Sequence, residues 1–291
     1  MSDATLMAAP VLGTARRLQI FSGMALRQAS LVLAALVIIV ALGWAFFPEA
    51  FTSLNPFKTT TAERLRPPSL THWFGTDYLG RDLYTRAVYG AALSLKATVI
   101  AVGIGLVAGS LLGLVAGFAG GRVEDALMRV IDVLLAVPGL LLSLTIMTVL
   151  GFGTVNVAIA VGVSTIAVFA RVMRAEVLRV KSNLYVEAAT ASGVRWLPIL
   201  FRHVLPNAAG PVLALAGLEF GSAILSVSSL SFLGFGAPPP APEWGSLVAE
   251  GRDYLATAWW MTAMPGLVVV AVVLAVNRLG HALHRAEPTL H

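Results

Sequence analysis

Apolar positions come in long uncharged blocks along this chain rather than in the short alternations of a soluble protein. No Asp, Glu, Lys or Arg falls at 28–48, 97–121, 133–170, 220–242 or 254–277. A helix of about 20 apolar residues crosses the hydrocarbon core of a bilayer. The pattern therefore predicts spans at 30–47, 97–121, two within 133–170, one at 207–230 and one at 259–277. The block 133–170 is too long for one span, and Gly151-Phe152-Gly153-Thr154 supplies turn chemistry that divides it. Arg16, Arg17 and Arg27 precede the first block, as in a signal peptide. That block exceeds the roughly 7–15 residues of a signal core, so it reads as a retained span. The expected fold is an all-α, polytopic transmembrane helical bundle of six spans.

Composition agrees with the pattern. Hydrophobic residues make up 57% of the 291 and charged residues 12%, against roughly 45–50% and 25% in soluble domains. A disordered chain, a disulfide scaffold and a free cytosolic enzyme are excluded. The net charge of +5 reads as basic residues retained on the inner side, and no basic patch with interleaved aromatics suggests nucleic acid. Six spans put both termini on one side. With that side cytoplasmic, 13 of the 20 basic residues lie within.

The expected organisation follows. Residues 1–29 form a cytoplasmic segment, 30–47 the first span, and 48–95 an extracytoplasmic loop. That loop carries Arg81, Arg86 and Lys96 on an amphipathic segment lying along the outer surface. Residues 96–282 form a five-helix core, with an inner loop at 171–206 and an outer loop at 231–258. Residues 283–291 form a cytoplasmic tail. Trp259 and Trp260 are interfacial anchors.

Chemistry is sparse. There is no cysteine, which removes disulfides and thiol catalysis. His281 and His284 lack a third ligand, so no metal site is expected. None of Lys58, Lys96 and Lys181 follows a glycine, which removes a P-loop. Any ATP hydrolysis belongs to another polypeptide. Gly105, Gly109, Gly113 and Gly117, spaced by four, form a stripe for close helix packing. Glu219 is the acid inside the fifth span. It either faces a pathway, where it attracts the amino terminus of cargo, or meets a structural partner. Asp132 and Arg129 read as an interfacial pair, and Asp77, Arg81 and Asp82 as residues that hold the outer segment together.

The inner loop has the strongest pattern. Residues from Arg174 to Ala191 favour helix, Gly193 stops it, and Pro198 opens a second short helix bounded by Pro206. Small residues at Ala188, Ala189, Ala191 and Gly193 give this helix–turn–helix a profile suited to a groove on a soluble partner.

Glu187-Ala188-Ala189, then Gly193, then His203-Val204-Leu205-Pro206 resembles the EAA loop of importer permeases of the ATP-binding-cassette (ABC) class. Asn207, Phe74-Gly75-Thr76-Asp77, Gly80-Arg81-Asp82, Tyr89-Gly90, Leu230-Ser231-Phe232-Leu233-Gly234 and Glu243-Trp244-Gly245 are similar to the peptide and nickel branch. The resemblance covers roughly 70–285. It implies the type I importer permease fold and a C-type subunit of an oligopeptide or dipeptide importer, multi-pass in the cell membrane. The implied partners are a B-type permease, one fused or two separate ATPase subunits carrying ATP and Mg, an extracytoplasmic peptide-binding protein and peptide cargo. No cofactor is bound by this chain itself. Glu187, Ala188, Ala189, Gly193, Arg195, His203 and Pro206 would form the ATPase-coupling loop. Arg195 and Arg202 either complement the ATPase groove or solvate a loop face. Pro239, Glu243 and Trp244, beside Pro238 and Pro240, would meet the binding protein. Many relatives carry a carboxylate where this chain has Val227. Nickel or glutathione cargo keeps the same architecture, and a stand-alone secondary transporter is the alternative from another class.

Overall fold

The structure is a computed structural model that describes residues 11–286, with side chains described from 28 to 282. Among these residues it is all helix, with one isolated bridge between Thr76 and Asp82 and no strand. The elements are α1 (Val11–Phe46), α2 (Leu83–Ala119), α3 (Gly121–Ala136), α4 (Gly139–Leu150), α5 (Thr154–Lys181), α6 (Leu184–Ala191), α7 (Trp196–Ile199), α8 (Leu205–Phe232), α9 (Trp244–Gly251) and α10 (Trp260–Ala286). Five helical stretches are long and apolar enough to span a membrane, and a sixth span exists only if the bent pair α3 and α4 counts as one.

The bundle has two ends. One, the loop end, carries Ala119 and the chain from Ser182 to Val204. The other, the proline end, carries the segment 47–82, the turn at Gly151–Gly153 and the loop 233–259. Gly153 N–H donates to Phe235 O there, and Trp260 Nε1 donates to Thr76 O. Arg278 Nε donates to Ser30 Oγ at 2.9 Å, so α1 enters and α10 leaves near the same end.

The tightest contact in the fold joins α2 to α5. A Cβ on Gly105 would sit 2.1 Å from Thr165 Oγ1, on Gly109 2.5 Å from Ile166 O, and on Gly113 2.3 Å from Ala170 O. On Gly117 it would meet Val177 and the Arg174 carbonyl. Two backbones approach this closely only where side chains are missing, the small-residue packing available between helices in lipid. From the other side, Gly162 of α5 is crowded by Ile104 and Ala101 O. The apolar core continues from this seam through Phe169, Met173 and Val177 to Val204 just before α8 and to Val212, Val227 and Leu230 of α8.

Three expectations change. The segment bearing Arg81, Arg86 and Lys96 does not lie along a surface. Arg86 and Lys96 stand in the unbroken α2, and Arg81 and Arg86 are buried because carboxylates neutralise them. The third crossing is not one helix. Pro138 has no N–H and drives its predecessor out of the helical region, and Val137 is extended at φ −92, ψ 127. The axes of α3 and α4 differ by 95° across the break. Pro206 does not bound a short helix either. A π-turn at Leu200–Val204 leads straight into α8, and Pro206 follows directly after it as the second residue of α8. Helix runs without interruption from Trp196 to Phe232.

Candidate functional site

The loop end is built outward from Lys181. Its Nζ donates to the carbonyls of Gly117 and Phe118 at 3.1 and 2.9 Å and lies 5.4 Å from the centre of the Phe118 ring. An ammonium on the last carbonyls of α2 caps that helix and fixes where the loop departs from the bundle. Asn183 O then accepts from the N–H groups of Val186 and Glu187, which starts α6. Gly193 ends it at φ +76, a left-handed conformation that glycine adopts without a Cβ clash. Val194 N–H reaches back to Ala189 O at 3.2 Å. Val186, Ile199, Leu200 and Val204 bury themselves against the core and anchor the finger at its base.

Its outer surface is unusual. Leu184 is 81% exposed, Trp196 59% and Phe201 58%, with Tyr185, Val194 and Leu197 also exposed. Glu187, Ala188, Gly193, Arg195 and Pro206 are exposed, and Ala189 and His203 half-buried. The His203 ring lies 6.2 Å from that of Tyr185. Among the described residues Glu187, Arg195 and Arg202 have no oppositely charged partner. A groove of about 560 Å³ between the finger and the end of α2 is lined by Phe118, Val186, Glu187, Thr190, Trp196 and Ile199. The exposed aromatics and the Lys181 cap are not part of the motif reading. Lys181 was legible as a cation at a helix end, but its acceptors lie 63 and 64 residues earlier in the chain.

The proline end is arranged in the opposite way. Asp77 is fully buried, and its Oδ2 accepts from Arg81 Nε at 2.6 Å and Arg86 Nη1 at 2.7 Å. Glu250 of α9 receives Arg86 through both carboxylate oxygens, at 2.8 and 3.0 Å, and Arg81 at 3.2 Å. Two guanidinium groups thus meet two carboxylates inside the fold. Asp82 caps α2 by accepting Thr85 N–H at 2.7 Å and bonds His72 Nδ1 at 2.9 Å.

Glu243 and Trp244 were expected to face a partner and do not. Both are 0% exposed. Glu243 accepts from Ser231 Oγ at 2.6 Å and Ala237 N–H at 2.8 Å, closing its own loop on the end of α8. Trp244 Nε1 donates to Ala87 O at 2.9 Å, and its N–H to Ser94 Oγ at 3.1 Å. A buried polar group must find such partners within the chain. Pro239 and its neighbours Pro238 and Pro240 remain exposed.

Glu219 is half-buried on α8, and among the described residues nothing pairs with it. Three and four residues apart along the same face follow Ser222, Ser226 and Ser229, a polar line on a mostly apolar helix. Asp132 pairs with Arg171 of α5 at 2.6 Å rather than with Arg129, because α3 lies against α5. Arg174 and Glu124 form a second tie between the same helices. Among the described residues no cluster of His, Asp and Glu could hold a metal ion.

Known proteins share this arrangement. The family model described as "Binding-protein-dependent transport system inner membrane component" matches residues 109–287. The dipeptide transport system permease protein DppC of Alkalihalophilus pseudofirmus is 38% identical over 262 residues, 90% of this chain and 86% of the relative. The di/tripeptide transport system permease protein DppC of Pseudomonas aeruginosa is 43% identical, over 74% of this chain and 72% of the relative. The glutathione transport system permease protein GsiD of Pectobacterium atrosepticum is 37% identical, over 91% and 89%. A chain of the inward-facing MetNI methionine ABC transporter superposes with a TM-score of 0.57 at 17% identity, covering 69% of this chain and 95% of that one. An amino acid ABC transporter gives 0.54 at 18% identity, covering 69% and 94%. These two likenesses establish the ABC-importer permease fold. The family model and these relatives place the chain among the binding-protein-dependent transport system inner membrane components, as a multi-pass permease subunit of the inner membrane.

Proposed function

We propose that this chain is the C-type permease of an ATP-driven importer of short peptides, and that the finger 182–206 is its joint to the ATPases. One observation carries the reading: a finger firmly anchored at its base presents six large apolar side chains and three uncompensated charges to solvent. Exposed apolar clusters of this kind mark protein contacts. A helix pair with small residues at its turn fits a groove on a soluble partner. The finger then lies in the cytoplasm, as do both termini, and the proline end faces outward, where Pro238–Pro240 meet the binding protein.

Coupling is mechanical. Closure of two ATPase subunits on ATP and Mg moves the finger as a rigid body. Because α5 enters it and α7 continues without interruption into α8, the displacement reaches both helices. A partner biases such an equilibrium only through contacts that differ between the two states. The chain itself holds no nucleotide, metal or cofactor in this scheme. A B-type permease completes the pathway. Cargo follows from the relatives, whose names specify dipeptides, di/tripeptides and glutathione, all short peptides with a free ammonium group. Glu219, without a partner among the described residues, meets that ammonium in the pathway.

The test is co-purification followed by uptake into proteoliposomes. A stable complex with an ATPase and a second permease, and uptake that needs ATP, are expected. Gly193→Pro, which cannot reach φ +76, and Glu187→Lys should abolish uptake while membrane insertion is kept. Transport by the purified chain alone would overturn the reading in favour of a secondary transporter.

A further inference from the structure

The finger has two unlike limbs. Its exit limb is continuous, since helix runs unbroken from Trp196 to Phe232. Its entry limb is broken: α5 ends at Lys181, Asn183 is extended at φ −81, ψ 141, and helix resumes at Leu184. A finger that moves as a rigid body needs this break held at a fixed angle. The hydrogen bonds within two separate helices do not hold it.

The brace comes from α2. That helix stops at Ala119, and the chain turns at Gly120 with φ +69 into α3. In a longer helix the carbonyls of Gly117 and Phe118 would accept from the N–H groups of Gly121 and Arg122, which here belong to α3. The half-buried Lys181 takes their place and bonds both carbonyls, at 3.1 and 2.9 Å. Its neighbours on α5 behave differently. Arg171, Arg174 and Arg179 pair with Asp132, Glu124 and Glu176, whereas Lys181 serves the end of another helix.

The same ammonium lies 5.4 Å from the centre of the Phe118 ring, within the range of a cation–π contact. That ring also meets Trp196, with 6.2 Å between centroids and 42° between planes. Phe118 therefore touches the last residue of α5 before the break and the first residue of α7 beyond it. One side chain of α2 bridges the two limbs. From Gly117 inward, α2 is locked to α5 by the glycine seam.

Resting on the permease reading above, we propose that Lys181 is a positioning residue for coupling, acting through Phe118. By holding the last turn of α2 wound, it keeps the Phe118 ring between the limbs, so that closure of the ATPases turns the finger, α2 and α5 together. Without it that turn frays, the finger pivots at Ser182–Asn183, and ATP is spent without moving the bundle.

The test uses the assembled transporter in proteoliposomes and reads ATP hydrolysed per peptide taken up. Lys181→Met keeps the side-chain length and removes the charge and the donors. It should raise the ratio about five-fold, the combined effect of a helix-end cation and a cation–π contact, with ATPase affinity unchanged. Lys181→Arg, which keeps charge and donors, should bring the ratio back toward wild type. Phe118→Leu removes the ring and leaves the carbonyls. It should raise the ratio too, and adding Lys181→Met should raise it little further, because coupled residues are not additive. A wild-type ratio in Lys181→Met, including one in which hydrolysis and uptake fall in proportion, would overturn this inference and leave the permease reading intact. So would weakened ATPase binding, or a ratio in Lys181→Arg as high as in Lys181→Met. If Lys181→Met does not assemble, a wild-type ratio in Phe118→Leu overturns the inference by itself. Uptake that needs no ATP in the wild type would instead count against the permease reading.

Discussion

At the proline end, Asp77, Arg81, Arg86 and Glu250 neutralise one another, whereas at the loop end Glu187, Arg195 and Arg202 are exposed with no countercharge among the described residues. The aromatic side chains divide less sharply. Trp244 is fully buried at the proline end although Trp73 and Phe152 are exposed there, and Trp196 and Phe201 are exposed at the loop end. The sharper difference is in the charges: buried groups at the proline end find their partners within the fold, as desolvated charges must, whereas the finger keeps its charges in water, as the docking proposed above requires.

The contrast breaks most sharply at Arg86. Arg86→Leu strips the buried Asp77 of one of its two cations and the partly exposed Glu250 of its bidentate one, a loss of about 3 kcal/mol in stability. The thermal midpoint in detergent should fall well below that of the wild type, with the amount of inserted protein reduced. If the variant melts with the wild type, the proline end is not the self-sufficient unit described above.

Trp196→Ala is the counterpart at the loop end. Truncating an exposed aromatic that becomes buried in a complex costs about 2 kcal/mol or more of binding, roughly 30-fold in affinity for the ATPase. The stability of the isolated permease should not change, because Trp196 is 59% exposed in it. Titration of the ATPase onto immobilised permease checks the first outcome and thermal unfolding the second. A fall in stability without a fall in affinity would assign Trp196 to the fold instead.

The same contrast explains what the sequence could disclose. The uncharged blocks located the helices, the glycine spacing in α2 marked a packing face, and Gly193 marked a stop, since each is a local property of chain and solvent. Arg86 was misplaced because one of its two neutralising carboxylates, Glu250, is 164 residues away and the other, Asp77, meets it only once the segment before α2 has folded back. Glu243 and Trp244 were misread for the same reason, their partners Ser231, Ala87 and Ser94 being supplied by folding. Pro138 was visible all along. Its effect was masked by the apolar run around it, which suits a continuous span as well as a broken one.

Glu219 sharpens the comparison from between the two ends. Glu219→Gln removes a half-buried carboxylate that none of the described residues pairs, so stability should stay level or rise slightly, as expected when desolvation of a charge is relieved. Replacing a charge-assisted hydrogen bond to cargo by a neutral one costs about 1 kcal/mol, roughly five-fold in the apparent KM for dipeptide uptake. Loss of stability with unchanged uptake would give Glu219 to a partner helix.

The smallest effect belongs to Asp132→Asn. Its pair with Arg171 at 2.6 Å is more than half exposed on both sides, and such pairs contribute about 0–1 kcal/mol, less as salt rises. The buried contact of Ile131 with Ala167 and Ala170 holds α3 to α5 without the charge, so the isolated permease should melt within about 2 °C of the wild type. The informative measurement is uptake by the assembled transporter. Asp132 ties α3 to α5, and in the coupling proposed above α5 is pulled by the finger, so the pair keeps α3 in place under that load. A defect in uptake without one in stability would then show that this weak surface pair matters only when the loop end is loaded, which is where the two ends of the molecule differ most.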